Sequence, residues 1–315
     1  MMNRNSARGI VAHIMPGVLA LVAVLLFSVP IVAEPNKDSY AQQQLEQLKT
    51  RLIDDGIDPI IVNQYFADSR FSIIPELLRV NIKQPSGTAG YQRFLGDASV
   101  RTAAGFLEIN RETISGVLQD SPVTPEVVVA ILNVESSLGS YKGTYPLMNV
   151  FTSLSLLETE PITDVAPEFW NVVLDGISAT EEDAARAKAT KRAKSKARWA
   201  YKELRTILRM AQDGHFDPLD VKSSWAGAYG LPQFIPTSAE AYGRDGNGDG
   251  FVDLNTLPDA VASIGHYLKI HGYREDNPKK RRKAVWHYNH SDEYVDCILS
   301  LTDKIREYNA NNPTP

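Results

Sequence analysis

Cysteine is almost missing from this chain of 315 residues: Cys297 stands alone, so neither an intramolecular disulfide nor a cysteine-rich metal cage can form. A basic surplus is missing too. The 33 Lys and Arg are outnumbered by 38 Asp and Glu, and the net charge of −5 argues against a general nucleic-acid binder, whose phosphate contacts call for cations. No G-x-S-x-G, Walker or Rossmann pattern occurs, which leaves serine-hydrolase and nucleotide-binding readings without support. Strict period-two alternation rarely lasts six residues and β-branched runs are short, so the pattern predicts a mainly α fold. What is present, 43% hydrophobic and 23% charged residues, is enough for a globular core in one large domain or two modest ones.

Residues 1–33 read as a targeting segment. Arg4 and Arg8 lie in a polar start without acids, an apolar run follows from about Ile14 to Val32, and Ala33 precedes Glu34. This is the shape of a secretory signal. The run approaches the ~20 residues that span a bilayer, which describes an uncleaved anchor, but Pro16, Pro30 and the small Ala33 favour cleavage. With no cysteine near the junction, lipid attachment there is excluded. The expectation is an exported protein, free or tethered.

Residues 34–90 show helical spacing, with Leu45, Leu48, Leu52 and Ile57 followed by Ile61, Val62, Tyr65 and Phe66, and are expected to form a helical lead-in. Two more helices are expected from Tyr91 to Gly139, the second opening at Thr124-Pro125, where threonine caps and proline suits the first turn. An insertion-like stretch, 161–195, holds Pro161 and Pro167 and then an Ala/Lys/Arg/Glu-rich run predicted to be a surface helix. Between Arg186 and Arg209 ten residues are basic and only Glu203 is acidic. Such a run is either a solvated face or a device for attracting an anionic polymer, cell wall or membrane. The run Lys279–Lys283 poses the same choice.

Four segments carry chemistry. Glu135 ends the stretch Val127–Gly139, which is apolar almost all round and therefore expected to be buried. A carboxyl there is partly desolvated and near the negative end of the helix dipole, and both effects raise its pKa toward that of a general acid. The alternative is a glutamate on the one wet face. Residues Ser223–Ser238 are dense in Gly, aromatic and amide groups, suited either to close contact with sugar rings or to simple packing. The loop starting at Asp245 fits an EF-hand calcium pattern, with Asp245, Asn247, Asp249 and the Phe251 carbonyl as oxygen donors. Thr256 stands where a bidentate glutamate is usual, which leaves Asp253 or Asp259 to close the site. Finally, His271, His287 and His290 fit no standard zinc spacing.

Taken in order, Ala130–Gly139, Phe216–Leu219, Ser224–Ser238, the Asp-rich loop, Ala262–Leu268 with His271–Tyr273, and Tyr288–Ser291 resemble the soluble and membrane-bound lytic murein transglycosylase B family. The resemblance covers about residues 40–157 and 196–307. It implies a lysozyme-like catalytic domain over 91–310 that cleaves between N-acetylmuramic acid and N-acetylglucosamine in periplasmic peptidoglycan. Glu135 would be its single catalytic acid, closing a 1,6-anhydro ring without a second carboxylate, unlike the two-acid glycosidases. By position the resemblance assigns Ser224, Gln233, Tyr267, Tyr288, Asn289, Tyr91 and Tyr294 to sugar contacts. It also implies structural calcium in an elongated loop, 245–259, closed by Asp259. Where the family carries two arginines this chain has Ser195-Lys196, and Lys196 offers a point charge rather than a planar fork.

Overall fold

In the computed structural model of the protein, residues 37–80, 90–158, 177–212, 214 and 216–312 are described. The targeting segment and residues 161–176 of the insertion lie outside them. The described residues are mainly helical, as the patterning predicts. The lead-in holds α1 (Lys37–Asp54), α2 (Pro59–Ala67) and α3 (Pro75–Val80). A 3-10 turn, Tyr91–Leu95, leads into α4 (Asp97–Ile109), α5 (Arg111–Val117) and α6 (Pro125–Ser136). Next come α7 (Leu147–Ser155), the long α8 (Glu182–Gln212), α9 (Pro236–Tyr242), α10 (Leu257–Ile270), α11 (Pro278–Tyr288) and α12 (Asp292–Asn311). Two short strands, β1 (Tyr145–Pro146) and β2 (Lys222–Ser223), pair antiparallel with Tyr145 opposite Ser223.

Two details differ from expectation. Three helices, not two, lie between Tyr91 and Gly139, because Asn110 leaves helical geometry and its amide donates back to the Phe106 carbonyl, separating α4 from α5. Thr124 precedes α6 without a capping side-chain bond to it, although Pro125 takes the first turn as predicted.

The core forms where apolar faces have no solvent side. All of Val127–Leu132 is fully buried, and α6 packs against α12 and α4. Every residue of α7 is buried, and its main neighbour is α8, which offers a seam of Ala189, Ala193, Ala197 and Ala200. Alanine lets the two backbones approach, and each fully buried Val, Leu, Ile or Phe around the seam contributes ~1.5–3 kcal/mol. Polar clamps fix the lead-in onto this core. The Tyr201 hydroxyl donates to Asp55 at 2.7 Å beneath the Arg51 guanidinium, and Arg70 reaches Asp217 and Asp220 at 2.9 and 2.6 Å.

Candidate active site

Glu135 occupies the last turn of α6. The helix stops at once: Ser137 and Leu138 both take left-handed backbone angles, φ 50° and 58°, ahead of Gly139. Left-handed geometry costs a non-glycine residue about 1 kcal/mol or more. Here it is held by bonds from the Ser137 and Leu138 amides to the carbonyls of Asn133 and Leu132. The abrupt end leaves Glu135 partly exposed beside a wall of tyrosines. Burial of the carboxyl raises its pKa to about 7, and a hydrogen bond from Tyr294 opposes that shift.

Tyr294 corrects one expectation. It is 1% exposed, and its hydroxyl donates to Glu135 Oε1 at 2.7 Å. It therefore positions the acid and offers no face to a sugar. Tyr91 meets it edge-on at 5.7 Å, and Tyr288 stacks nearly parallel to it at 6.4 Å. Burial and the Glu135 charge raise the pKa of both Tyr91 and Tyr288, so both hydroxyls stay protonated at neutral pH. Asn289 bonds the Tyr91 side chain. Tyr91, Tyr288 and Asn289 remain partly exposed, as ligand contacts require.

The other assigned residues shape this wall. Ser224 accepts hydrogen bonds from the Ala226 and Ala228 amides at 3.3 and 3.1 Å and so folds its own loop. Gln233 sits at φ 51° and donates to the Gly230 carbonyl, while the Tyr288 hydroxyl donates to the Pro232 carbonyl. Tyr267 is nearly buried, and its hydroxyl donates to the His287 carbonyl. Lys196, expected as a point charge in place of an arginine, rests on an aromatic ring. Its Nζ lies 3.9 Å over the Trp199 ring, which meets Phe151 edge-on. A Cβ on Gly227 would come within 2.2 Å of Phe151, so glycine is required where the Ser224 loop rests on this stack.

Sequence reasoning missed several parts. Glu203 looked like the lone acid of a basic run, yet it is buried and accepts from the Thr237 amide and hydroxyl at 2.8 and 2.9 Å, anchoring the chain just after Gln233. The available signal was its place on the face of α8 that also carries Ala200, Leu204 and Ile207. His271 and His287, weighed above as metal ligands, instead extend the ring row. Tyr267 stacks on His271 at 4.2 Å, and His271 lies 4.6 Å from His287.

The loop 245–259 has an all-oxygen donor set, which suits a hard cation. Its oxygens meet backbone amides: Asp245 accepts from Gly248 and Gly250, Asp249 from Phe251, and the buried Asp259 from Gly246 and Asp253. Asp259 thus ties together the backbone at Gly246 and Asp253, while the Asp253 carboxylate accepts from Asn255. Among the described residues no group of three His, Cys, Asp or Glu side chains is arranged to hold a metal.

A mainly helical, lysozyme-like fold with one desolvated carboxyl among tyrosines is the class these features define. The chain belongs to the Transglycosylase SLT domain family, whose model matches residues 40–285. Membrane-bound lytic murein transglycosylase B of Escherichia coli K12 is 26% identical over 246 residues, 76% of this chain and 55% of that relative; the chain thus spans little more than half of its length. Two solved structures share the fold. The Escherichia coli lytic transglycosylase SLT35 in complex with calcium has TM-score 0.64 at 20% identity, covering 85% of this chain and 94% of that one. Pseudomonas aeruginosa SltB3 in complex with NAG-NAM-pentapeptide has TM-score 0.66 at 20% identity, covering 84% and 79%.

Proposed function

We propose that the protein is a peptidoglycan lytic transglycosylase cleaving the MurNAc–GlcNAc bond with Glu135 as acid and base. The observation that carries this reading is the Glu135 carboxyl, held near pKa 7 by burial beside the Tyr294 hydroxyl. The protonated acid gives its proton to the glycosidic oxygen as the C1–O bond breaks. The resulting carboxylate, supported by Tyr294, takes the proton of the muramoyl C6 hydroxyl while O6 bonds to C1. One group serves both steps, so no second carboxylate is required. Ser224, Gln233, Tyr91, Tyr288 and Asn289 would hold the sugars, with Tyr267 behind them.

The same reading gives calcium to the loop. Asp245, Asn247, Asp249, the Phe251 carbonyl and Asp259 would hold it, and the bound ion would brace the loop without entering the reaction. It also places the protein in the periplasm, with the basic face of segment 186–209 meeting the anionic cell wall. No helix among the described residues is long and apolar enough to cross a membrane. The test is digestion of purified sacculi by the wild type and by Glu135→Gln, with products weighed by mass spectrometry. We expect 1,6-anhydromuramoyl ends from the wild type and a loss of at least a thousandfold in the variant. Reducing ends would indicate a hydrolase, and full activity in the variant would remove Glu135 from the mechanism.

A further inference from the structure

A cavity of about 280 Å³ opens between the α5–α6 turn and α10, and no chemistry above uses it. It lies just below the ~300–1,000 Å³ of drug-sized ligand sites and so suits a compact group. Its two walls are fitted closely: α10 passes the turn at Gly265, where a Cβ would come 2.7 Å from the Leu118 side chain. Arg244, His266 and Lys269 line the α10 side, and Asp120 lines the turn side.

The Arg244 charge is fixed in place but not neutralised. Its amide donates to Ser263 Oγ at 2.9 Å, its Nη1 to the Gly243 carbonyl at 2.5 Å, and its Nη2 to His266 Nε2. A guanidinium can only donate, so His266 accepts through Nε2 as a neutral ring with its proton on Nδ1. Every one of these partners is uncharged. Among the described residues no acid pairs with Arg244 or Lys269. Asp245, next in sequence, engages both carboxylate oxygens with the Gly248 and Gly250 amides. His266 registers the resulting positive field: burial, then the charges of Arg244 and Lys269, lower its pKa, and no described acid opposes them. Asp120 shares the cavity without cancelling the two cations. A held guanidinium, an ammonium and an imidazole around one compact space call for an anion with several acceptor oxygens, which is the chemistry of a phosphate.

We propose that this cavity is an anion site that takes the phosphate group of a small ester, held by Arg244 and Lys269. The site is independent of the peptidoglycan reading, since no step of that reaction involves Arg244 or the α5–α6 turn. A soluble ester and a lipid headgroup both present such a group, and the test separates them. Inorganic phosphate is titrated into the protein by calorimetry in calcium-free buffer with a chelator, so that the loop 245–259 holds no ion. Saturable binding is expected. Lys269→Ala and Arg244→Lys should each weaken it about tenfold, the second because an ammonium keeps the charge but lacks the planar fork. Asp120→Asn should tighten it severalfold by removing a like charge. Lys269 is exposed and outside the loop, so its variant decides the case should Arg244→Lys fail to fold. No saturable binding, or binding indifferent to Lys269→Ala and Asp120→Asn, overturns the proposal. Flotation with phosphatidylcholine vesicles, with and without phosphatidic acid, then assigns the source. Capture by phosphatidic acid that Lys269→Ala abolishes identifies a lipid headgroup, and phosphate binding without such capture identifies a soluble ester.

Discussion

At Glu135 two influences oppose each other. Desolvation favours the neutral acid, and the Tyr294 hydroxyl, 2.7 Å from Oε1, favours the carboxylate; the balance leaves the pKa raised to about 7. A general acid works in its protonated form, so kcat/KM should decline as pH rises through about 7. Replacing Tyr294 with Phe removes the influence that lowers the pKa, so the declining limb should move to higher pH. The rate on the acid side should also drop roughly tenfold, since the carboxylate formed on proton transfer loses its donor. Full pH–rate profiles of the two proteins check this, and a limb that stays put or moves to lower pH counts against the pairing. Glu135 itself was legible in sequence, because a carboxyl closing a continuous apolar helix has little choice but to be desolvated. The role of Tyr294 was not. Its ring reaches Glu135 from α12, 159 residues along the chain, and local pattern carries no trace of that packing.

Among the elements, α8 shows what periodicity reveals and what only packing decides. Ten basic residues between Arg186 and Arg209 were visible as a charge run, but not which of them reach solvent. With Ala189, Ala193, Ala197, Ala200 and Leu204 buried against the core, the opposite face carries Lys188, Lys191, Arg192, Arg198 and Lys202, all exposed. At 1.5 Å per residue these five cations span about 21 Å. The comparable run at Lys279–Lys283 is spent differently: Arg281 pairs with Asp303 and Glu275, and Arg282 with Asp292 and Asp296. Local folding physics thus ties the two arginines of the second run into ion pairs and leaves the first as a ridge of exposed cations. Reversing Lys188, Lys191 and Arg192 to Glu should reduce the fraction of Glu135→Gln protein that pellets with sacculi at low salt severalfold, with the difference vanishing near 0.5 M salt as screening shortens the field. Equal pelleting of the two proteins at low salt would rule out the ridge as the wall-binding face.

For the molecule as a whole, the loop 245–259 lies where three parts meet. It joins α9 to α10, its Leu254 carbonyl accepts from the Leu231 amide beside Gln233, and Arg244 at its start donates to Ser263 of α10, the helix that carries Tyr267. Stiffening this loop should therefore stabilise the site wall and the global fold together. Its Asp and Gly spacing could be read in sequence, and the Asp259 carboxylate accepts from the amides of Gly246 and Asp253. Sequence could not tell that the oxygens are also the partners of the loop's own amides, since that depends on the folded turn. An ion that binds only the folded state raises stability by about 2.7 kcal/mol at a hundred times its dissociation constant. Calcium should accordingly raise Tm, a chelator should reverse the rise, and Asp249→Ala, at an exposed position, should remove the response while leaving the ion-free Tm within a few degrees. Asp259→Ala should lower Tm even without calcium, by the ~1–3 kcal/mol that follows when buried amides lose their acceptor. A Tm indifferent to calcium and chelator, with no ion retained after gel filtration, would return the loop to a purely hydrogen-bonded turn.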